Sequence, residues 1–307
     1  MAKSSQVGLM KALKKQRYDS FFFWTLIFAG KISNTLESVG LIHNVNPEKS
    51  QRHGINQQGV NKYDEKFLEW FIGFTEGDGS FVITNGKSLF SIHLHLVDLP
   101  LLYKIKTELN MGNVYINKNS CIFIVKAKKE VYNLINIFNG NLYLNKRKLL
   151  FANWVNNYNK KNNLAIEILK TEFKPSLSDN WLAGFIDAEG SFLVSVACAT
   201  KTKIIQRFVL SQKDAEAEFM SLSLLLNGYT EKLKKNDRLV INFKKLNILL
   251  EYLRNHKLYS VKEKSLEKWL EIYNIRTNQD SPLDIAHYNS IKTKASLINS
   301  LRKSIKL

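Results

Sequence analysis

Two stretches of this chain set acids in a repeated frame. Residues 68–84 read LEWFIGFTEGDGSFVIT and residues 181–196 read WLAGFIDAEGSFLVSV. Superposed, both give apolar-x-Gly-Phe-x-acid-small-acid-Gly-Ser-Phe, so Asp78 and Glu189 hold the same place in the two copies. Each acid closes a helix-compatible apolar run, where its charge opposes the helix dipole. If the two helices meet, the carboxylates also repel each other, and a cation resolves both conflicts. Carboxylate oxygens of this kind suit Mg²⁺, with water and phosphate completing the shell. A pair of such ions can activate water and stabilise the leaving oxygen of a phosphodiester. Two acids that merely cap duplicated helices would not need matching positions in both copies.

The glycines say how the elements must hold these acids. Gly73 and Gly184 interrupt the apolar runs at equivalent places. A glycine inside a helix costs about 1 kcal/mol relative to alanine, and it persists where two backbones approach closely. The two motif helices are therefore expected to pack on a pseudo-twofold axis with Gly73 and Gly184 at their interface. Downstream, each copy repeats the same pattern. Strand-like runs 80–84 with 89–96, and 191–199 with 204–212, lead to Asp98 and Asp214 as helix caps. Helices 99–110 and 215–227 follow, each stopped near a glycine, Gly112 or Gly228. Two more short strands and two helical segments close each unit, the last segments being 148–158 and 264–275. The expected fold is α+β: a duplicated α-β-β-α-β-β-α-α unit with two antiparallel sheets.

By this reading residues 1–60 are an N-terminal extension, 61–169 the first repeat, 170–180 a linker containing Pro175, 181–276 the second repeat, and 277–307 a tail with a helix. The run Phe21–Gly30 behind a basic stretch resembles a targeting segment, though a docked helix or strand fits it better. Cys121 and Cys198 lie far apart in strand-like runs, which argues for buried thiols and against a zinc site or disulfide framework. No stretch reaches the roughly 20 apolar residues of a membrane span.

The chain has 307 residues, 45% apolar, with a formal net charge of +18. So large a positive surplus favours a polyanionic partner, and nucleic acid is the expected one. Richness in Asn, Lys and Ile fits an AT-rich organellar genome.

FIGFTEGDG (71–79) and LAGFIDAEG (182–190) resemble the two motifs of the LAGLIDADG homing endonucleases in their single-chain, intron-encoded form. The resemblance covers roughly residues 64–276. The first motif departs at Thr75, Glu76 and Gly77 but keeps Gly73, Asp78 and Gly79; the second departs at Phe185 and Glu189. The resemblance implies two sheets forming a DNA-binding saddle, and a monomer that makes a double-strand break in a long asymmetric target. It implies Asp78 and Glu189 as metal-holding catalytic acids, with Gly77 and Ala188 beside them in the metal sites. Two or three Mg²⁺ ions, replaceable by Mn²⁺, would be held there. It places a catalytic lysine before each last helix, Lys146 and Lys262, for which Arg147 or Lys264 could substitute. The implied compartment is the mitochondrion, ahead of the chloroplast. A role as an intron RNA maturase, or as an RNA-binding protein of an organellar ribonucleoprotein, is the competing implication.

Alternation along the strands separates a core face from a DNA face. In the first repeat Phe81, Ile83, Phe90, Ile92, Leu94 and Leu96 are expected inside, leaving Ser80, Val82, Thr84, Ser91, His93 and His95 toward DNA. The second repeat offers Ser191, Leu193, Ser195, Arg207, Val209, Ser211 and Lys213. Lys203 and Lys234, at strand ends and loops, would serve phosphates, which position the protein without specifying sequence.

Overall fold

The computed structural model describes residues 63–170, 173–197, 203–278 and 285–298. The extension 1–60 with its Phe21–Gly30 run, and Cys198 and the end of the tail, lie outside the described residues.

The first repeat opens with helix α1, Glu65–Asp78, whose start is fixed by Asp64 accepting from the Lys66 amide at 3.1 Å. Strands β1 (Gly79–Thr84) and β2 (Lys87–His95) form a hairpin, closed by Asn85 and Gly86 at positive φ. Helix α2 (Leu99–Leu109), strands β3 (Asn113–Ile116) and β4 (Ser120–Val125), and helices α3 (Lys128–Phe138) and α4 (Asn145–Asn162) complete the unit. The second repeat copies this order. It comprises α5 (Trp181–Glu189), β5 (Gly190–Ala197), β6 (Lys203–Gln212), α6 (Glu216–Leu225), β7 (Tyr229–Lys232), β8 (Asp237–Asn242), α7 (Asn247–Asn255) and α8 (Lys262–Thr277). A further helix, α9 (Ile285–Leu297), buries Ile291 and ties Lys294 to Glu271 at 2.5 Å. The duplicated α-β-β-α-β-β-α-α order is the expected one, with the last helix of each unit longer than expected.

Both sheets are wholly antiparallel, ordered β1-β2-β4-β3 and β5-β6-β8-β7. Helices cover one face of each. On the first, Phe71, Phe81, Phe90, Phe138, Phe151 and Trp154 make an aromatic cluster with centroids 5.2–6.4 Å apart. On the second, Phe192 packs on Phe208 and Trp269 at 5.4 and 5.5 Å. Cys121 is buried and reduced.

Four expectations need correction. Ile83 is 47% exposed, because β1 runs past the covering helices toward the hairpin tip. Val209, expected to face outward, is only 3% exposed; it sits beside Val240 across the strands, and the two shield each other outside the main core. Asp98 and Asp214 do not cap their own helices through their side chains. Asp98 accepts from the Val261 amide at 3.1 Å, and Asp214 takes Lys146 at 3.0 Å. Each acid thus reaches into the opposite repeat and joins the halves.

Candidate active site at the crossing of the motif helices

α1 is apolar on nearly every face because it is covered on both sides, by its own sheet and by α5. The crossing is a backbone contact. A Cβ built on Gly73 would stand 1.9 Å from the Trp181 carbonyl oxygen, and one on Gly184 would stand 1.8 Å from that of Trp70. No side chain fits either gap. Further along, a Cβ on Gly77 would meet the Ala188 methyl at 2.2 Å. The two helices therefore run close together up to their C-terminal ends, where Asp78 and Glu189 stand.

Two residues inside each helix sits a second acid to which the sequence assigned no task. Glu76 is fully buried and accepts from the Tyr143 and Leu144 amides at 2.7 and 2.6 Å and from the Trp181 indole at 2.8 Å. Asp187 accepts from the Tyr259 and Ser260 amides, the Ser260 hydroxyl, and the Trp70 indole at 2.8 Å. Each inner acid ties down the chain entering its own repeat's last helix and takes an indole from the other repeat. Burial raises both carboxyls, Glu76 to about 7, against the lowering by those hydrogen bonds. The legible signal was Trp-x-x-Gly-x-x-acid, present in both copies.

That anchoring aims a cation at each helix end. Arg147 donates to the carbonyls of Glu76 at 2.6 Å and Gly79 at 2.8 Å, and to that of Gly77. Lys262, only 7% exposed, donates to Ile186 and Ala188 at 3.2 and 2.6 Å. Lys146 does not take this place. Its Nζ is engaged by Asp214 at a solvent-exposed pair, and Arg147 occupies the counterpart of Lys262. The first repeat has one more residue between the anchored Leu144 amide and the cation than the second has after Ser260, which turns Lys146 away. Lys264 is exposed.

The outer acids are held beside each other's charge. Burial, then the charge of Asp78, pushes the Glu189 carboxyl up to about 7, against Lys262, Arg147 and a 3.2 Å hydrogen bond from Gln212. Among the described residues no group of three or more His, Cys, Asp or Glu is placed to hold a metal. A cation shared by Asp78 and Glu189 would take its other oxygens from water, from phosphate and from the second lone pairs of the Gly77 and Ala188 carbonyls, which here accept from Arg147 and Lys262.

The raised Glu189 pKa has a sign. The folded chain holds this proton more tightly than the unfolded chain, so its contribution to stability is full below about pH 4.5 and lost as pH rises through about 7. Glu189→Gln should therefore raise the melting temperature at pH 8 without divalent ions, by about 1–3 kcal/mol of stability, and change little at pH 5. Thermal denaturation at the two pH values checks this; equal shifts at both would contradict it.

On the strands, Ser80, Thr84, His93, Ser195, Lys203, Lys213 and Lys234 are exposed, and Val82, Ser91, Ser191, Leu193, Arg207 and Ser211 are half-exposed. His95 has a structural task, its Nδ1 accepting from the Val97 amide at 3.3 Å.

A duplicated α+β chain whose two motif helices cross through glycines and deliver paired carboxylates to one point defines a class of pseudo-dimeric protein. The profile described as LAGLIDADG endonuclease matches residues 71–158 and 182–273, and the chain belongs to that family. It is 32% identical over 302 residues to the "Probable intron-encoded endonuclease 4" of Neurospora crassa, across 90% of this chain and 54% of that protein. It is 28% identical over 153 residues to the "Intron-encoded RNA maturase bI4" of Saccharomyces cerevisiae, across 48% of this chain and 22% of that one. The chain spans about half the length of the first curated relatives it matches. The fold is shared with the crystal structure of the LAGLIDADG meganuclease I-AabMI bound to uncleaved DNA, at TM-score 0.66 and 20% identity, over 76% of this chain and 99% of that one.

Proposed function

We propose that this chain is a monomeric, site-specific homing endonuclease that hydrolyses one phosphodiester on each strand of a long asymmetric DNA duplex. The observation that carries the reading is the pair Asp78 and Glu189 at the helix crossing, where the charge of one carboxylate raises the pKa of the other. Asp78 and Glu189, with the Gly77 and Ala188 carbonyls, would hold Mg²⁺, and Mn²⁺ in its place. The bound ions would supply an activated water and charge for the leaving oxygen. The protein's own part is positional. The crossing helices hold the acids at a fixed separation, and Glu76 and Asp187 fix the helices that present Arg147 and Lys262. From there those two cations would face the negative charge that builds up on phosphoryl oxygens. We assign this role to Arg147 rather than to Lys146, which steadies the junction of the repeats through Asp214. One chain supplies both motifs, so a monomer suffices, and the Asn- and Lys-rich composition supports a mitochondrial origin.

The test is a duplex spanning the joined exons of the host gene, incubated with the full chain and Mg²⁺. Cutting of both strands, absent from the intron-interrupted duplex, is the expected result; an intact junction would overturn the reading. Binding should also weaken steeply with salt, at a log–log slope of about −0.9 per neutralised phosphate. A flat dependence of Kd between low and physiological salt would remove nucleic acid as the partner.

The maturase relative supports a second role on the host intron's RNA. Such a role would survive loss of Asp78 and Glu189, which cleavage would not.

A further inference from the structure

The two outer sheet faces differ in chemistry. In the strands of the first sheet the only formal charge is Lys87, at the hairpin end. The strands of the second carry Lys203, Arg207, Glu231, Lys232, Asp237 and Arg238.

Register shows where these fall. On the first sheet, the face turned from the core joins Val82 to Leu89, Ile124 to Ser91, and Ile122 to both His93 and Tyr115. Val82, Leu89, Ile122 and Ile124 are half-exposed, and none belongs to the hydrophobic core or packs against it. Tyr115 is 44% exposed. On the second sheet the same face sets Arg207 between Leu193 and Asn242, and Arg238 between Ser211 and Glu231. Arg238 carries a buried Nε with no hydrogen-bond partner among the described residues. Arg238 itself is half-exposed, and the two terminal nitrogens of a guanidinium carry four of its five donors.

In the major groove these chemistries read different bases. Aliphatic side chains contact the thymine methyl, whereas a guanidinium donates a fork of hydrogen bonds to guanine O6 and N7. We infer that the two repeats read half-sites of opposite composition. The first repeat selects an A·T-rich half through thymine methyls on Val82, Leu89, Ile122 and Ile124. The second selects guanines, one through Arg207 and one through Arg238. This rests on the endonuclease reading above and goes further, assigning base chemistry to each half of the target. Glu231 stands in register with Arg238 and accepts from the Tyr229 hydroxyl at 3.2 Å. Tyr115 and His93 border the apolar patch with groups that need not discriminate.

The experiment is selection of bound duplexes by the full chain from a randomised library in Ca²⁺, with sequencing of the enriched pool. The expected pool has one A·T-rich half and one half with guanine fixed at two positions. Arg207→Ala and Arg238→Ala should each relax one guanine position, by roughly tenfold or more in discrimination, and leave the other half unchanged. Replacing thymine by uracil should weaken binding by about fourfold per contacted methyl in the A·T-rich half and leave the other half unaffected. Replacing guanine by 7-deazaguanine should act only in the other half. Enriched duplexes with halves of equal composition would overturn the inference and leave the endonuclease reading standing. So would an Arg207→Ala or Arg238→Ala pool with every preference unchanged. Enrichment of no duplex at all would instead sink both, since the partner would not be DNA.

Discussion

Asp78→Asn and Glu189→Gln should each lower double-strand cleavage by about a thousandfold or more while leaving DNA binding intact or slightly tighter. Both changes keep the side chain's size and remove the charge that would hold a cation, and losing that charge stabilisation costs several kcal/mol in the transition state. Binding should respond in the opposite sense, because one fewer carboxylate faces the phosphates. Cleavage of duplexes labelled on each strand separates two arrangements. A variant that still nicks one strand indicates ions held independently by the two acids; loss of both cuts indicates a shared ion. EDTA should reproduce the double variant, and Ca²⁺ should support binding with little cutting, since its looser coordination orients water poorly. Full activity in either single variant would remove that acid from the mechanism.

The second large effect falls on the fold. Gly73→Ala or Gly184→Ala should destabilise the chain by more than about 3 kcal/mol, and leucine at either place should prevent soluble folding. Overpacking usually costs about 1–3 kcal/mol because side chains can yield. Here the first atom met is a backbone oxygen under 2 Å away, and the helices would have to separate. That separation would also strain the indole bonds to Glu76 and Asp187. Gly86 makes the comparison sharp: it has positive φ but nothing within 4 Å of a built Cβ, so Gly86→Ala should cost only about 1 kcal/mol. Chemical denaturation of the three variants decides the matter, and equal losses at Gly73 and Gly86 would show that close helix approach is not what Gly73 serves.

Much of this architecture was legible because it rests on repetition and on period. The paired motifs located the helix crossing, since a glycine recurring inside an apolar run has few purposes other than close approach. Strand alternation placed Phe90, Ile92 and Leu94 inside correctly because each strand packs one face on helices. The reading failed where a contact depends on the third dimension alone. Alignment set Lys146 opposite Lys262, but one extra residue rotates the helix start by about 100°, and Arg147 takes the inward place. Asp98 and Asp214 stand where helix caps stand, yet the partner repeat offers each a better donor. Glu76 and Asp187 stood in the motif without an assigned task, because their donors come from residues far along the chain. Val209 follows the outward parity and is still buried, a result of its cross-strand neighbour and not of its own position.

The exchanged indoles have a bearing on descent and on engineering. Trp70 serves the acid of the second half, and Trp181 serves that of the first. A half transplanted onto a foreign partner would keep its inner carboxyl but lose that carboxyl's indole donor whenever the new partner lacks a tryptophan three residues ahead of its motif glycine. Hybrids joined at the linker should therefore be more stable when the guest half carries both that tryptophan and the motif glycine. Each half thus carries a donor that only the other half's buried acid uses.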